Sequence, residues 1–572
     1  MGVYFVKDKY FVYKGEKDAE DKFRTELSNL IIEKFGNGPF ENQDKVREIV
    51  VFSLEYYISK FKEICHSETS VAFYQYLFWF HEQATELAFL HTNQDISPDI
   101  SGRYIASYRR ILKFILETGC EVPMITGETT DKKFKQRIEP ILNKLLFLGE
   151  MILMCVDLYA EQSMVEDVAD VSFEDGKYVF SRRHHYEFIF GHIIKELGSH
   201  LTKSVVDNSE LAGFTDLKQA LQNCFGIRYE DVGHLIASIH QELESKGGET
   251  VGVGWETLTV NLNQLFGVPM DTAEQFFKGL RLDKSNKMDL MDLACRPYKL
   301  NRYLYNPIIV WKIDGKDYAL FGKNTWTEAI IQYSTNAIPW GKAPEEWMKN
   351  QCFKEYVHRK EDDHDKWLDD EVEKKLQVQN LKYDRNVKRI NHKNGTISID
   401  VPGLGEIDFI ILSPKTKIVY ISDCKHLLGR YDIVNQKNDF NAFSVGSRKT
   451  KSYNETMKNK LQWFNDNKSI LEEHFQNKYT DETIDLSEYD IHGIFIVNTP
   501  TFYMYNAEYR IYTINQIESV LTGDYEDPTF MIVIEEEEHE KILNVQYPYF
   551  QKPKYITFDP FADKDESDNS EE

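Results

Sequence analysis

Apolar residues recur at helical spacing through most of the first 300 positions. Asp44 to Lys62 and Tyr186 to Lys203 are long examples, and each predicts an amphipathic helix. A hairpin interrupts them: Ser172-Phe173-Glu174 and Lys177-Tyr178-Val179-Phe180 flank Asp175-Gly176, a dipeptide suited to a tight primed turn. A second hairpin is expected where Ile308-Ile309-Val310-Trp311 and Tyr318-Ala319-Leu320-Phe321 flank Asp314-Gly315. The stretch Ile338-Pro339-Trp340-Gly341-Lys342-Ala343-Pro344 then breaks the pattern and reads as a boundary. No repeat of fixed period runs through the chain.

Beyond that boundary the texture changes. A helix is expected over Glu345 to Gln377, followed by strand-like runs at Arg385 to Ile390, Thr396 to Val401, Glu406 to Leu412 and Ile418 to Lys425. A second helix is expected over Tyr453 to Phe475, with Tyr453, Met457, Leu461 and Phe464 on one face. Strands at Ile491 to Val497 and Tyr509 to Thr513 and a short helix complete it. Helices covering a mixed sheet is the α/β arrangement this order implies. The expected fold class is therefore α+β and multidomain. A mostly helical region (1–300) and a β-hairpin connector (301–344) precede an α/β domain (345–525) and a C-terminal extension (526–572). The last dozen residues, Phe561 to Glu572, are rich in Asp, Glu, Ser and Asn and predict disorder.

Composition narrows the class. A chain of 572 residues is too long for one ordinary core, and 42% hydrophobic with 13% aromatic residues is enough to fold most of it. Met1 to Lys14 alternates charged and aromatic residues, so no signal peptide is expected. The most apolar window, Leu142 to Tyr159, contains Lys144, Glu150 and Asp157 and reads as a buried helix, with no membrane partner. Seven scattered cysteines without a CxxC pair argue against a disulfide framework and a structural zinc site, and for a reduced, cytoplasmic protein. The net charge of −25 is unevenly placed. Residues 341–480 carry 25 Lys+Arg against 22 Asp+Glu, so the remainder carries −28. Residues 442–468 hold Arg448, Lys449, Lys451, Lys458, Lys460 and Lys468 against Glu455 and Asp466. Nucleic acid is thus not excluded as a partner, whereas the acidic remainder would repel it or bind something else.

The chemistry concentrates in two apolar strands joined by a short turn, Glu406 to Leu412 and Ile418 to Lys425. Side chains alternate along a strand, so Asp423 and Lys425 share a face with Val419 and Ile421. An antiparallel return brings Asp408 near Asp423. Two carboxylates and the Cys424 carbonyl suit a magnesium ion, with manganese as a substitute. Such an ion stabilises charge on phosphoryl oxygens and lowers the pKa of bound water, and a nearby lysine orients that water or stabilises developing charge.

This stretch resembles the PD-(D/E)XK nuclease superfamily, with Asp408 as its first acid and Asp423-Cys424-Lys425 as its (D/E)-x-K element. The resemblance covers roughly residues 345–520 and implies a restriction-endonuclease-like fold and magnesium-dependent cleavage of nucleic acid, DNA rather than RNA. It also implies an acid on the preceding helix. Leu368-Asp369-Asp370-Glu371-Val372-Glu373 supplies Asp369, with Glu373 one turn later as the rival. The helix after the second strand commonly carries a further Gln, Lys or Tyr in this family; Lys458, Lys460 and Gln462 are the candidates here. Together with Lys449 and Lys451 these are the expected nucleic-acid contacts. A helical partner region suggests a sensor or assembly module that binds a protein or a second copy, in a restriction-like or anti-phage setting by analogy alone.

The tripeptide by itself is not specific. Asp175-Gly176-Lys177, Asp216-Leu217-Lys218 and Asp314-Gly315-Lys316 also satisfy it. Structural capping of a strand end is the plain alternative for Asp423 and Lys425, and an inactive nuclease fold used only for binding follows from it. Arg228 and His234 fit the loose spacing of the metal-independent HEPN ribonucleases, a second alternative. His184, His185, His192 and His200 lack the HExxH arrangement, and Gly247-Gly248 and Gly252-Val253-Gly254 lack the ending of a phosphate-binding loop.

Overall fold

The computed structural model describes residues 2–7, 10–93, 102–128, 131–164, 168–183, 209–245, 252–428, 433–446, 450–527, 529–536 and 539–546. It falls into two compact units. The first comprises Met1–Tyr159, Asp170–Ser181 and Asp207–Asp363, and the main run of the second is His364–Glu572. The fold is α+β, with a mostly helical N-terminal region and a sheet-containing C-terminal region. The expected helix at Tyr186 to Lys203, the four clustered histidines and the acidic tail lie outside the described residues.

In the first unit, Asp44 to Lys62 falls inside the helix Gln43–Ser67, whose start is capped by Asn42 accepting from the Lys45 amide. Both expected hairpins form, as Ala169–Glu174 with Lys177–Arg182 and as Ile308–Ile313 with Lys316–Phe321. Their turns place Asp175-Gly176 and Asp314-Gly315 at positive φ, as a primed turn requires. The segment 301–344 is no mere connector. Its two strands are central in a four-stranded sheet, and Ile308, Val310, Trp326, Ile330 and Tyr333 share one core with Leu217, Phe276 and Trp347. The strand Ile308–Ile313 is buried on both faces, which explains why it lacks alternation. Cys224 and Cys352 are joined by a disulfide, a departure from the all-reduced expectation. Spacing could not show it, because 128 residues separate the two.

The second unit is built on a five-stranded sheet, with Arg389–His392 and Gly395–Ser398 as a separate small hairpin, and the sheet's strands and the helices are numbered within the unit. They are α1 (Gln351–Val378), which begins in the first unit, then β1 (Lys382–Val387), β2 (Ile407–Ser413), β3 (Ile418–Lys425), α2 (Ile433–Ser444), α3 (Tyr453–Asp466), α4 (Lys468–Lys478), β4 (Asp490–Val497), β5 (Arg510–Thr513) and α5 (Ile517–Thr522). The spatial order is β5-β4-β3-β2-β1. The first three strands in the chain pair antiparallel, and β4 and β5 add in parallel, each after a crossover. Leu368, Val372 and Leu376, spaced four apart on α1, pack on one face of the sheet against Phe409, Ile411, Tyr420, Ile494 and Ile496. On the other face α3 comes so close that a Cβ at Gly493 would meet the Met457 sulfur at 2.7 Å. The expected single helix to Phe475 is two, divided at Asn467. Residues 529–536 and 539–546 form a separate hairpin.

Candidate active site

The hairpin of β2 and β3 sets the geometry. Its register puts Phe409 opposite Ser422, so Asp408 falls opposite Asp423 at the end where the strands part. There the Cys424 amide donates to the Asp408 carboxylate at 2.6 Å. Asp423 is almost fully buried. Its Oδ1 accepts from the Lys460 ammonium at 2.6 Å, and its Oδ2 lies 3.6 Å from Lys425 Nζ. Lys460 reaches in from α3 and also donates to the Glu406 carbonyl at 2.7 Å, tying that helix to the start of β2. Lys425 in turn sits 5.0 Å from the centre of the Tyr453 ring.

Asp369 comes from α1 on the other side of the hairpin. One carboxylate oxygen each from Asp369 and Asp408 and the Cys424 sulfur all lie within 4.8 Å of one another. The structure thus separates the two helix acids. Glu373 accepts from Arg385 at 2.6 Å and from the Tyr383 hydroxyl at 2.9 Å, whereas Asp369 faces the hairpin end. Arg385 contacts Asp370 at 2.7 Å and is only 4.0 Å from Asp369.

The electrostatics follow from crowding. Burial, opposed by Lys425 and reinforced by Asp423 and Asp369, raises Asp408 to about 6. Burial also raises Asp369, despite its bond with Cys424 and the nearby Arg385. The Cys424 thiol is pushed up by burial and by both carboxylates. For Lys425 burial works against the charge, but Asp423 and Asp408 outweigh it and raise its pKa. It therefore stays an ammonium at neutral pH. An aromatic stack flanks the end of β3: His426 lies 3.6 Å from His364, ring centre to ring centre, with the half-exposed Trp367 beside it. Burial and the neighbouring His364 push His426 down to about 4.

The expected nucleic-acid contacts divide. Lys458 is exposed on α3. Lys451 is exposed but paired with Glu455 at 2.7 Å, and Gln462 donates to Asp466 on its own helix. Lys449 lies outside the described residues. Lys460 differs in kind, since it is only 2% exposed and its ammonium is committed to Asp423 rather than to the surface. The sequence offers it with Lys458 and Gln462 as the helix's site residue without choosing among them, yet only Lys460 stands three residues after Met457 and four before Phe464, on the buried stripe of α3. Arg385 and the whole of α2 went unremarked, because β1 and the 433–444 segment carry few apolar residues at regular spacing.

The other candidates have structural partners. Asp314 accepts from Thr126, Lys177 pairs with Asp21, Asp216 with Lys360 and Lys218 with Glu230. The Arg228 guanidinium donates to Asp231, and His234 is exposed on the following helix. No protein-family model, no curated protein and no solved structure matches this chain.

Proposed function

We propose that the second unit hydrolyses phosphodiester bonds in nucleic acid, DNA in preference to RNA, as a magnesium-dependent nuclease of the PD-(D/E)XK kind. The observation that carries this reading is the convergence of Asp369, Asp408, Asp423 and Lys425 at one end of the β2–β3 hairpin. The mixed sheet, three antiparallel strands extended by two parallel ones and covered by helices, agrees with the mixed, helix-flanked sheet the resemblance implies.

The donor set fits a hard divalent cation. Asp369 and Asp408 offer carboxylates, and the Cys424 carbonyl is the expected third oxygen. Asp423 was also expected as a ligand, but here both its oxygens face ammonium groups. A bound magnesium ion would neutralise charge on phosphoryl oxygens and acidify a water. The remaining work falls to the chain itself. Lys425, held charged by its acid neighbours, serves as a fixed cation for developing negative charge rather than as a base. Lys460 positions Asp423, and through Glu406 it holds the strand on which Asp408 sits.

The test is incubation of the whole protein with plasmid, single-stranded DNA and RNA, each with magnesium, manganese or EDTA. Cleavage is expected with either metal and none in EDTA; undiminished turnover in EDTA would sink the mechanism. A binding-only fold is favoured by one observation, the double engagement of Asp423 by Lys425 and Lys460. It predicts retention of nucleic acid without cutting in any metal. A restriction-like or anti-phage role, with the first unit as sensor, is part of the same proposal and rests on analogy.

A further inference from the structure

We infer that the Asp369–Asp408–Cys424 cluster is a site for thiophilic divalent cations of the zinc and cadmium class, with the Cys424 sulfur as a direct ligand. Its consequence for activity rests on the nuclease reading: such an ion occupies the carboxylates that magnesium needs and holds the enzyme off.

Three donor atoms reach this point from three separate elements, α1, β2 and β3, and lie within 4.8 Å of one another. Among the described residues no other set of three such side chains comes together in this way. Around a tetrahedral zinc-class ion, with oxygen at ~2.1 Å and sulfur at ~2.3 Å, donors stand roughly 3.5 Å apart. Closing the cluster thus asks for side-chain movements of about 1 Å. Helix α1 is packed on this face through Leu368 and Val372, so Asp369 is already delivered to the sulfur's side of the sheet.

The chemistry of the set decides the ion. Magnesium takes oxygen and does not favour sulfur, whereas a cysteine sulfur, releasing its thiol proton to solvent as the ion binds, selects zinc-class ions. The charges agree. Lys425 and Lys460 both turn to Asp423, and Arg385 lies nearer to Asp370 and Glu373 than to Asp369. Among the described residues Asp408 accepts only the Cys424 amide at hydrogen-bond distance, and Asp369 bonds the Cys424 thiol, so an ion between them would take the place of that thiol proton. A separate observation points the same way. Ser422, two residues back from Cys424 on the same side of β3, is fully buried, and its hydroxyl has no hydrogen-bond partner among the described residues. That is a further uncommitted oxygen on the Cys424 side of β3, the side on which α1 packs.

The experiment titrates the full-length protein with cadmium and with cobalt, following the thiolate-to-metal charge-transfer band and the stoichiometry by calorimetry. One ion per chain with a thiolate band is expected. Cys424→Ser should abolish the band, and Cys295→Ser, which changes another partly accessible cysteine, should keep it. Asp369→Asn should keep the band at saturation but need roughly tenfold more cadmium. Circular dichroism of each variant establishes that it is folded. No band in the wild type, a band that survives Cys424→Ser, or unchanged cadmium affinity in Asp369→Asn would overturn the three-donor site. Cleavage of DNA by the wild type in magnesium alone is scored separately. Cleavage without a cadmium band removes this inference and leaves the nuclease; a Cys424-dependent band without cleavage in magnesium or manganese leaves the cation site and removes the nuclease.

Discussion

Two carboxylates, one in each unit, have been driven in opposite directions. In the first unit Glu328 is bound by Arg109 and, at 2.9 Å, by Lys113. Burial alone would raise it, yet the two cations bring it down to about 2. In the second unit Asp408 is half-buried, its neighbours include Asp423 and Asp369, and it rises to about 6. Burial pushes both upward, and between these two the charged neighbours decide which way the balance falls. Glu117 in the first unit shows the balance falling the other way: Arg302 reaches it at 3.0 Å, yet burial still raises it. At the hairpin end two half-buried acids, Asp369 and Asp408, crowd together with raised pKa values, which is what makes this end the candidate site.

The largest expected effect tests whether that site is used. Asp423→Ala or Lys425→Ala should lower cleavage by about two to four orders of magnitude while circular dichroism stays native. Equal loss of folding would return both residues to a structural role. On the other side of the comparison, Glu328→Ala leaves Arg109 and Lys113 buried without their acid. It should cost about 3–5 kcal/mol in denaturant unfolding of the first unit. A loss below about 1 kcal/mol would mean that the cations find water instead.

Asp408→Asn should do the reverse. With a folded value near 6 against an ordinary 3.8, the fold is favoured while Asp408 is protonated, and that contribution is lost as pH rises through 6. In EDTA at pH 8 the substitution should therefore stabilise the second unit by roughly 2–3 kcal/mol, with the difference vanishing below about pH 4. Glu328 has the opposite window. Its contribution is complete above about pH 4.5 and is lost as pH falls towards 2. Thermal melts of Asp408→Asn and wild type across pH 4 to 8 decide it, and a constant offset would show that the titration is not the cause.

The contrast also explains what could be read from the chain. The strands β2 and β3 were legible to within a residue, because an apolar run ending in charge has little other interpretation. Asp408, Asp423 and Lys425 followed from alternation and a hairpin return. The choice between Asp369 and Glu373 did not, since one helical turn separates them and only Arg385 and Tyr383, on a different element, take Glu373 away. Nor could the pattern show that 301–344 belongs to the first core, for its partners Leu217 and Phe276 are remote in sequence. Lys458, Lys460 and Gln462 were equal candidates for the helix's site residue, and since lysine is rarely buried, only a faint breach of the apolar stripe set Lys460 apart.

That breach supplies the smallest and most local test. If α3 tracks a phosphate backbone, Lys458→Ala should weaken binding about equally for unrelated sequences and flatten the slope of log affinity against log salt by about 0.9. Lys451→Ala should flatten it less, because the side chain must first leave Glu455, 2.7 Å away. Lys460→Ala should leave the slope as it is. Its ammonium is buried against Asp423, and a charge enclosed with its counter-charge releases no counterions when nucleic acid binds. Its effect belongs instead in the turnover rate, through the loosened Asp423. Binding measured in EDTA at several salt concentrations keeps the two roles apart. A slope change for Lys460→Ala as large as that for Lys458→Ala would mean that α3 meets the nucleic acid with the side packed on β4, and the assignment of Lys460 as the partner of Asp423 would have to be given up.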